Sequence, residues 1–266
     1  MNNLKIQAIF FSPTNSTLKI TTTISDALNF EKLQEINLTF PSKREMDNIG
    51  AKADIIIFGA PVYRSKIPSM VIPAIKNMIG NNRWIVPVAV YGNVRLGNAL
   101  SEMVYLFREQ GFRILAAASF IGEHSLTSKE FKLAENRPDF NDLRIARSFG
   151  NKIREKFKSS PSEIEMVGQK PEISELHNEY RGKNLVKIIR AHEERCNRCM
   201  GCWAKCPVEA IDIVTLEINE EECIGCCACV KCCNFNVREI IFTMSPETKE
   251  KFEGFSKIRK EPEFFL

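Results

Sequence analysis

Hydrophobic and polar positions alternate in two rhythms over the first 160 residues. Leu4–Phe11 is a continuous apolar-rich run, the pattern of a strand buried on both faces. A turn rich in hydroxyls follows, and then a helical period from Leu18 to about Asn29. Further strands are predicted at Leu33–Leu38, Asp54–Ala60, Trp84–Tyr91 and Phe112–Phe120, with helices near 68–79, 98–110 and 139–158. In the helix near 98–110, Leu100, Met103, Val104 and Phe107 share one face at i, i+3, i+4, i+7 spacing. Strands alternating with helices predict an α/β fold with a doubly wound parallel sheet. Such sheets bind ligands at the carboxyl ends of their strands, at the topological switch point. The loops at that end are 12–17, 61–67 and 92–97.

The rhythm breaks near residue 160. Ser159-Ser160-Pro161-Ser162 opens a linker punctuated by Gly168 and Pro171, with partial helix expected over Ile173–Ile189. A second domain is expected from 191 to 242, with short strands at Ile211–Val214 and Glu239–Phe242, followed by a tail, 243–266. The expected division is therefore 1–159, a 160–190 linker, 191–242 and the tail; a chain of 266 residues is long enough for two domains. The tail carries five acids and five bases and ends Phe264-Phe265-Leu266. It is free to pack on the body, on a second copy to give a homodimer, or on a partner. No apolar run reaches 18 residues, and the N-terminal apolar stretch is too short for a signal peptide, so the expected location is cytoplasmic.

All ten cysteines lie between Cys196 and Cys233. The first half reads Cys196-x2-Cys199-x2-Cys202-x3-Cys206-Pro207 and the second Cys223-x2-Cys226-x2-Cys229-x3-Cys233. Each half has the bacterial ferredoxin spacing for a [4Fe–4S] cluster, in which the fourth thiolate ligates the other cluster of the pair. One cluster is thus expected on Cys196, Cys199, Cys202 and Cys233, and the other on Cys223, Cys226, Cys229 and Cys206. A zinc ribbon needs only two Cys-x2-Cys pairs and gains nothing from a third repeat with a trailing cysteine. A disulfide framework would scatter its cysteines over loops in a secreted chain. Pro207 follows Cys206 whereas Asn234 follows Cys233, a difference in local N–H donors that predicts unequal cluster potentials. Cys227 and Cys232 are left over and read as small buried hydrophobes. Oxygen-sensitive clusters imply an anaerobic or microaerobic setting.

The net charge of +4 is unevenly spread. Residues 1–159 hold 22 Lys and Arg against 14 Asp and Glu, while residues 191–242 hold 5 against 9. A basic first domain attracts an anionic cofactor or an acidic partner such as a ferredoxin. The cations are scattered and accompany no recognition motif, which argues against nucleic acid.

Ser12-Pro13-Thr14-Asn15-Ser16-Thr17 joins a strand to a helix N-terminus, where backbone N–H groups and hydroxyls make an anion site; the plainer reading is an N-cap without ligand. This stretch is similar to the flavodoxin phosphate loop, with Asn15 in place of a glycine and Ser16 in place of an asparagine. Residues 1–159 resemble the flavodoxin fold, which implies a five-stranded sheet of order 2-1-3-4-5. Gly59-Ala60-Pro61-Val62-Tyr63-Arg64-Ser65-Lys66-Ile67-Pro68 and Tyr91-Gly92-Asn93-Val94-Arg95 are similar to loops of a flavodoxin–ferredoxin fusion family. With the cysteine run, the whole chain resembles that family outside the linker and tail. The resemblance implies FMN, its phosphate on Ser12, Thr14, Asn15, Ser16 and Thr17 and its ring between Pro61-Val62-Tyr63 and Gly92, Asn93 and Arg95. Tyr63 is the expected ring neighbour, with a partly buried loop anchor as its alternative. Backbone groups of Gly92, Asn93 and Arg95 are expected at the ring edge. Arg95 otherwise reads as solvated surface, and Trp84 as core. His124 and His177 stand in no ligand-spaced cluster, and no hydrolase or nicotinamide signature is present. The expected function is electron transfer between two [4Fe–4S] clusters and FMN, exchanging with redox partner proteins, a ferredoxin or a ferredoxin-linked oxidoreductase. The alternative is a flavin-dependent oxidoreductase that reduces a quinone, a nitro compound or another flavin.

Overall fold

The computed structural model describes residues 4–171 and 185–266. His177 and most of the helix expected over Ile173–Ile189 lie outside the described residues. The first unit contains β1 (Lys5–Phe10), α1 (Ser16–Leu28), β2 (Glu31–Lys32), β3 (Ile36–Asn37), α2 (Pro41–Arg44), β4 (Ile55–Pro61), α3 (Ile72–Lys76), β5 (Trp84–Tyr91), α4 (Ala99–Glu109), β6 (Arg113–Ile114), β7 (Ala117–Ile121) and α5 (Phe140–Ser159). β1 pairs in parallel with β4, β4 with β5, and β5 with β6 and β7. On its other side β1 holds β2 and β3, also in parallel.

With the β2–β3 and β6–β7 segments each counted once, the order is 2-1-3-4-5, that of a flavodoxin-like sheet. Of the strand expected over Leu33–Leu38 only Ile36–Asn37 pairs with β1, and a second short pairing, at Glu31–Lys32, lies ahead of the expected start. That over Phe112–Phe120 is interrupted only between Leu115 and Ala116, where the Leu115 N–H still donates to the Ile85 carbonyl (3.0 Å). The helix expected near 68–79 is shorter. Pro73 stands in its first turn and α3 ends at Lys76, after a single 3₁₀ turn over Ser69–Val71. α1 and α5 cover one face through Ile20, Ile24, Phe149 and Ile153. α3 and α4 cover the other through Ile75, Met103 and Phe107.

The second unit is built on an antiparallel pair, β8 (Val186–Arg190) and β9 (Arg238–Phe242), with two one-turn helices, α6 (Gly201–Ala204) and α7 (Ala228–Lys231). β8 falls at the C-terminal end of the segment expected to be partly helical. Val186 and Ile188 are buried with Lys187 exposed between them, so the local period is two. The strand expected over Ile211–Val214 is reduced to an Ile211–Ile218 bridge. The Asp212 carboxylate accepts N–H bonds from Val214 (2.9 Å) and Thr215 (2.6 Å), which turns the chain instead.

The tail packs on the body. α8 (Pro246–Ser256) is followed by β10 (Glu263–Phe265), which adds antiparallel to β7 and covers that sheet edge. Among the described residues no helix is long and apolar enough to cross a membrane.

Candidate functional site

The two cysteine repeats are offset by 27 residues, and the backbone repeats with them. Arg198 and Gly225 are left-handed (φ 57° and 66°), as are Met200 and Cys227 (62° and 57°) and Glu209 and Asn236 (54° and 50°). Each left-handed residue at the second pair of positions starts a one-turn helix, α6 or α7. The Ala210 N–H donates to Cys206 Sγ (3.3 Å), and the Val237 N–H donates to Cys233 Sγ (3.4 Å). The duplication is therefore one of geometry as well as spacing.

All ten cysteines are unbridged. Cys196, Cys199, Cys202 and Cys233 line one small cavity together with Cys232, with Met200, Leu216, Phe235 and Val237 around them. Cys206, Cys223, Cys226 and Cys229 line a second together with Cys227, walled by Ile188, Pro207, Val208, Ile211, Ile218 and Ile224. These are the two quartets expected from the spacing, each drawing its fourth cysteine from the other repeat. Among the described residues no three His, Cys, Asp or Glu side chains converge on a single metal ion. Each quartet surrounds a void, as a multi-iron cluster requires and a lone zinc does not. Burial pushes the Cys226 and Cys229 thiols well up, so thiolates there need a cation in the void. The first quartet is the outer one, because Cys199 is exposed; in the inner quartet Cys226 and Cys229 are buried.

Arg238, on β9, is 4% exposed, and its Nη2 donates to Cys202 Sγ (3.7 Å) and to the Leu216 carbonyl. No carboxylate among the described residues pairs with it. A buried guanidinium of this kind is unfavourable unless an anion offsets it. A cubane with four thiolates, carrying net negative charge, fits that demand.

The 12–17 loop runs from β1 into α1. Ser12 is buried; its N–H donates to Thr39 Oγ1 (2.8 Å) and its hydroxyl accepts from the Leu18 N–H (2.9 Å), so this side chain closes the loop. Asn15 is left-handed at φ 68°, the conformation for which its replacement of glycine is suited. It makes no side-chain cap, and the first turn of α1 has no acidic residue. The Asn15 N–H donates to the Ser12 carbonyl (3.3 Å), so with Leu18 also engaged the Ser16 and Thr17 N–H groups are those left for an anion. Thr14, Ser16 and Thr17 line a cleft whose far wall is Pro61, Val62, Tyr63 and Gly92. A phosphate group fits this loop by donor supply, and Glu123 on the cleft wall is paired with Lys231.

The cleft opens into a chamber of about 490 Å³ that shares Val62, Tyr63, Gly92, His124 and Ser125 with it. Tyr63 begins a tight hairpin turn: its N–H donates to the Lys66 carbonyl (2.9 Å), with Arg64 and Ser65 both left-handed. Ile67 N–H, bonded to Glu102 on α4 (3.1 Å), and Ser65 O, which accepts from the Asn98 N–H (2.9 Å), tie this turn to its neighbours. Arg95 lines the chamber from the exposed rim. Asn93 is buried, but its amide is committed elsewhere. Its Nδ2 donates to the Phe255 (2.8 Å) and Ile258 (2.7 Å) carbonyls, and its Oδ1 accepts from the Lys260 N–H (3.1 Å). Asn93 itself lines neither the chamber nor the cleft, in contrast to Gly92 and Arg95.

Three walls of the chamber are not foreseen from local sequence. His124 lies in both cavities, its ring against Gly92, where an added Cβ would come within 2.3 Å of it. Its Nδ1 accepts from the Leu126 N–H (3.1 Å), and burial together with Lys231 lowers its pKa to about 4, so at neutral pH Nε2 carries the proton. Thr248, Lys251, Phe252 and Phe255 of α8 form the second wall. The third is Leu185, Val186, Ile224 and Gly225 of the cysteine unit. Ile224 and Gly225 stand between Cys223 and Cys226, so the inner quartet borders the chamber. Polar contacts also hold the units together, the Lys231 ammonium donating to the His124 carbonyl (3.4 Å) among them. Arg44 donates to the Pro207 carbonyl (2.7 Å), and Lys231 pairs with Glu123.

No family model and no curated protein matches the chain. Solved structures similar to it include a flavodoxin from the domain Archaea, at 16% identity over 58% of this chain and 99% of that one, TM-score 0.41. A flavodoxin of Streptococcus pneumonia TIGR4 is 14% identical over 57% of this chain and 99% of that one, TM-score 0.42. An NADH:FMN oxidoreductase in its apo form is 17% identical over 60% and 93%, TM-score 0.43.

Proposed function

We propose that the chain is an electron-transfer flavo-iron–sulfur protein, carrying two [4Fe–4S] clusters and FMN and exchanging electrons with redox partner proteins such as a ferredoxin or a ferredoxin-linked oxidoreductase. The observation that carries this reading is the shared wall: Ile224 and Gly225, inside the inner cysteine repeat, also line the chamber beside Tyr63 and Gly92. When bound, the clusters supply single-electron steps and FMN supplies one- or two-electron steps. The chain's own part is to hold these centres close and dry. The backbone of the 12–17 loop receives the phosphate, the Tyr63 turn and Gly92 bracket the ring, and His124 presents an N–H to the space between. Ile188, Ile211, Ile218 and Ile224 keep water from the inner quartet, which tunes such a site as much as its ligands do.

One observation favours a second reading, a flavin-dependent oxidoreductase acting on a small acceptor. The chamber is roofed by Phe252 and Phe255 of α8, and α8 is tied down through Asn93. A roof in that place admits small molecules and keeps protein-sized partners from the ring loops. The separating measurement is turnover: reoxidation of reduced protein by a small quinone or nitro compound supports the second reading, and reoxidation by protein carriers alone supports the first. Both readings need the same cofactors. Iron and flavin analysis of anaerobically purified protein is expected to give about eight irons, two cubanes of four, and one FMN. Stoichiometric zinc, or absence of flavin, sinks the proposal.

A further inference from the structure

The walls of the two cysteine cavities differ in charge. The outer cavity is lined by Arg190, Arg198 and Arg238, with no carboxylate among its lining residues. The inner cavity is lined by apolar residues and cysteines alone. Adding an electron to a cluster adds negative charge. Cations in a low-dielectric wall favour that step, and an apolar wall opposes it. The three arginines are not equivalent. Arg190 is neutralised by Glu217 (2.9 Å) and Glu193 (3.6 Å). Arg198 is exposed and donates to the Val214 carbonyl (2.6 Å). Arg238 is buried, unpaired by any described carboxylate, and in contact with Cys202 Sγ.

We infer that Arg238 is a redox-tuning residue, whose buried guanidinium raises the potential of the outer cluster above that of the inner one, so that the outer cluster takes the first electron. The inference rests on the two-cluster reading and adds a ranking that cysteine spacing does not contain. Exposed Cys199 makes the outer cluster the accessible one, and Arg238 makes it the one that holds the charge once delivered. The inner cluster, beside the flavin chamber, fills only under a stronger donor. Arg238 lines the outer cavity and not the inner one, so its field falls off toward the inner quartet. The inner potential therefore depends on it in the same direction, but less.

The test is a redox titration of anaerobically isolated holoprotein, followed by electron paramagnetic resonance, for the parent, Arg238→Gln and Arg238→Lys. Cys199→Ser and Cys226→Ser identify the outer and inner signals. The parent is expected to show two cluster steps, the higher one belonging to the outer cluster. Arg238→Gln is expected to lower that step more than the inner step, and Arg238→Lys to leave it near the parent value. The inference is overturned if the inner cluster has the higher step, if Arg238→Gln leaves the outer step in place or shifts both equally, or if Arg238→Lys shifts it as far as Arg238→Gln. If Arg238→Gln loses the outer cluster, the parent ranking decides: an outer step above the inner one, kept in Arg238→Lys, supports the inference, and an outer step at or below the inner one overturns it. A parent protein with fewer than about eight irons counts instead against the two-cluster reading.

Discussion

Cys227 and Cys232 belong to neither expected quartet, but Cys227 lines the inner cavity, and Cys232, half-buried rather than buried as expected, lines the outer one. Cys227 is fully buried, donates to the Gly225 carbonyl (3.4 Å), and has its pKa raised to about 12 by burial. At neutral pH it is a protonated, unreactive thiol. Cys227→Ala is expected to retain full iron content, whereas Cys226→Ala is expected to lose the inner cluster; iron analysis of the two variants separates them. Gly92 has a different constraint. A Cβ there would overlap the His124 ring at 2.3 Å, so Gly92→Ala is expected to destabilise the chain by about 1–3 kcal/mol and to weaken flavin retention, read by thermal unfolding and flavin release. His124 gives a pH signature. Its folded pKa of about 4 lies below the ordinary value of 6.5, so between these values the unfolded chain binds the extra proton. Stability therefore falls as pH drops from about 6.5 toward 4. His124→Gln is expected to flatten that slope in denaturant titrations over this range; an unchanged slope would contradict the assignment.

At the scale of elements, the C-terminal segment is the part that local sequence does not reveal. β1, β4, β5, α4 and α5 were legible because their apolar periods are local and strong, and the cysteine quartets because ligand spacing is itself a local code. α8 and β10 carry a balanced charge pattern that suits a solvated tail equally well. Their position depends on residues more than a hundred positions away. Arg137 donates to the Lys260 carbonyl (2.8 Å), Arg259 pairs with Asp139 (2.8 Å), and Asn93 receives the chain between them. The expectation for Asn93 followed its loop motif; the bonds that occupy its amide come from elsewhere in the chain. Asn93→Ala removes three hydrogen bonds, each contributing about 1 kcal/mol, and is expected to speed amide exchange selectively over 246–260. The Asp139–Arg259 pair holds the carboxylate down to about pKa 2. Its contribution is present above the ordinary carboxylate value and lost only as pH falls toward 2, so this clasp stays closed at physiological pH.

At the scale of the molecule, two units and a strap meet around one chamber. The parallel sheet delivers the phosphate loop and the ring loops from its carboxyl end, as doubly wound sheets do. The cysteine unit presents its inner quartet to the same space and turns its outer quartet toward solvent. The strap roofs the chamber. The charge division seen in the sequence leaves the sheet unit basic, which suits the anionic cofactor proposed for its phosphate loop. The central claim is that clusters and flavin share one chain as a working set of redox centres. A stepwise anaerobic reductive titration of the purified protein, followed optically, tests it most directly. The account predicts uptake of about four electrons per chain, one for each cluster and two for FMN, with both cluster and flavin absorbance bleaching. Uptake of two electrons or fewer, or bleaching confined to one kind of centre, would contradict it.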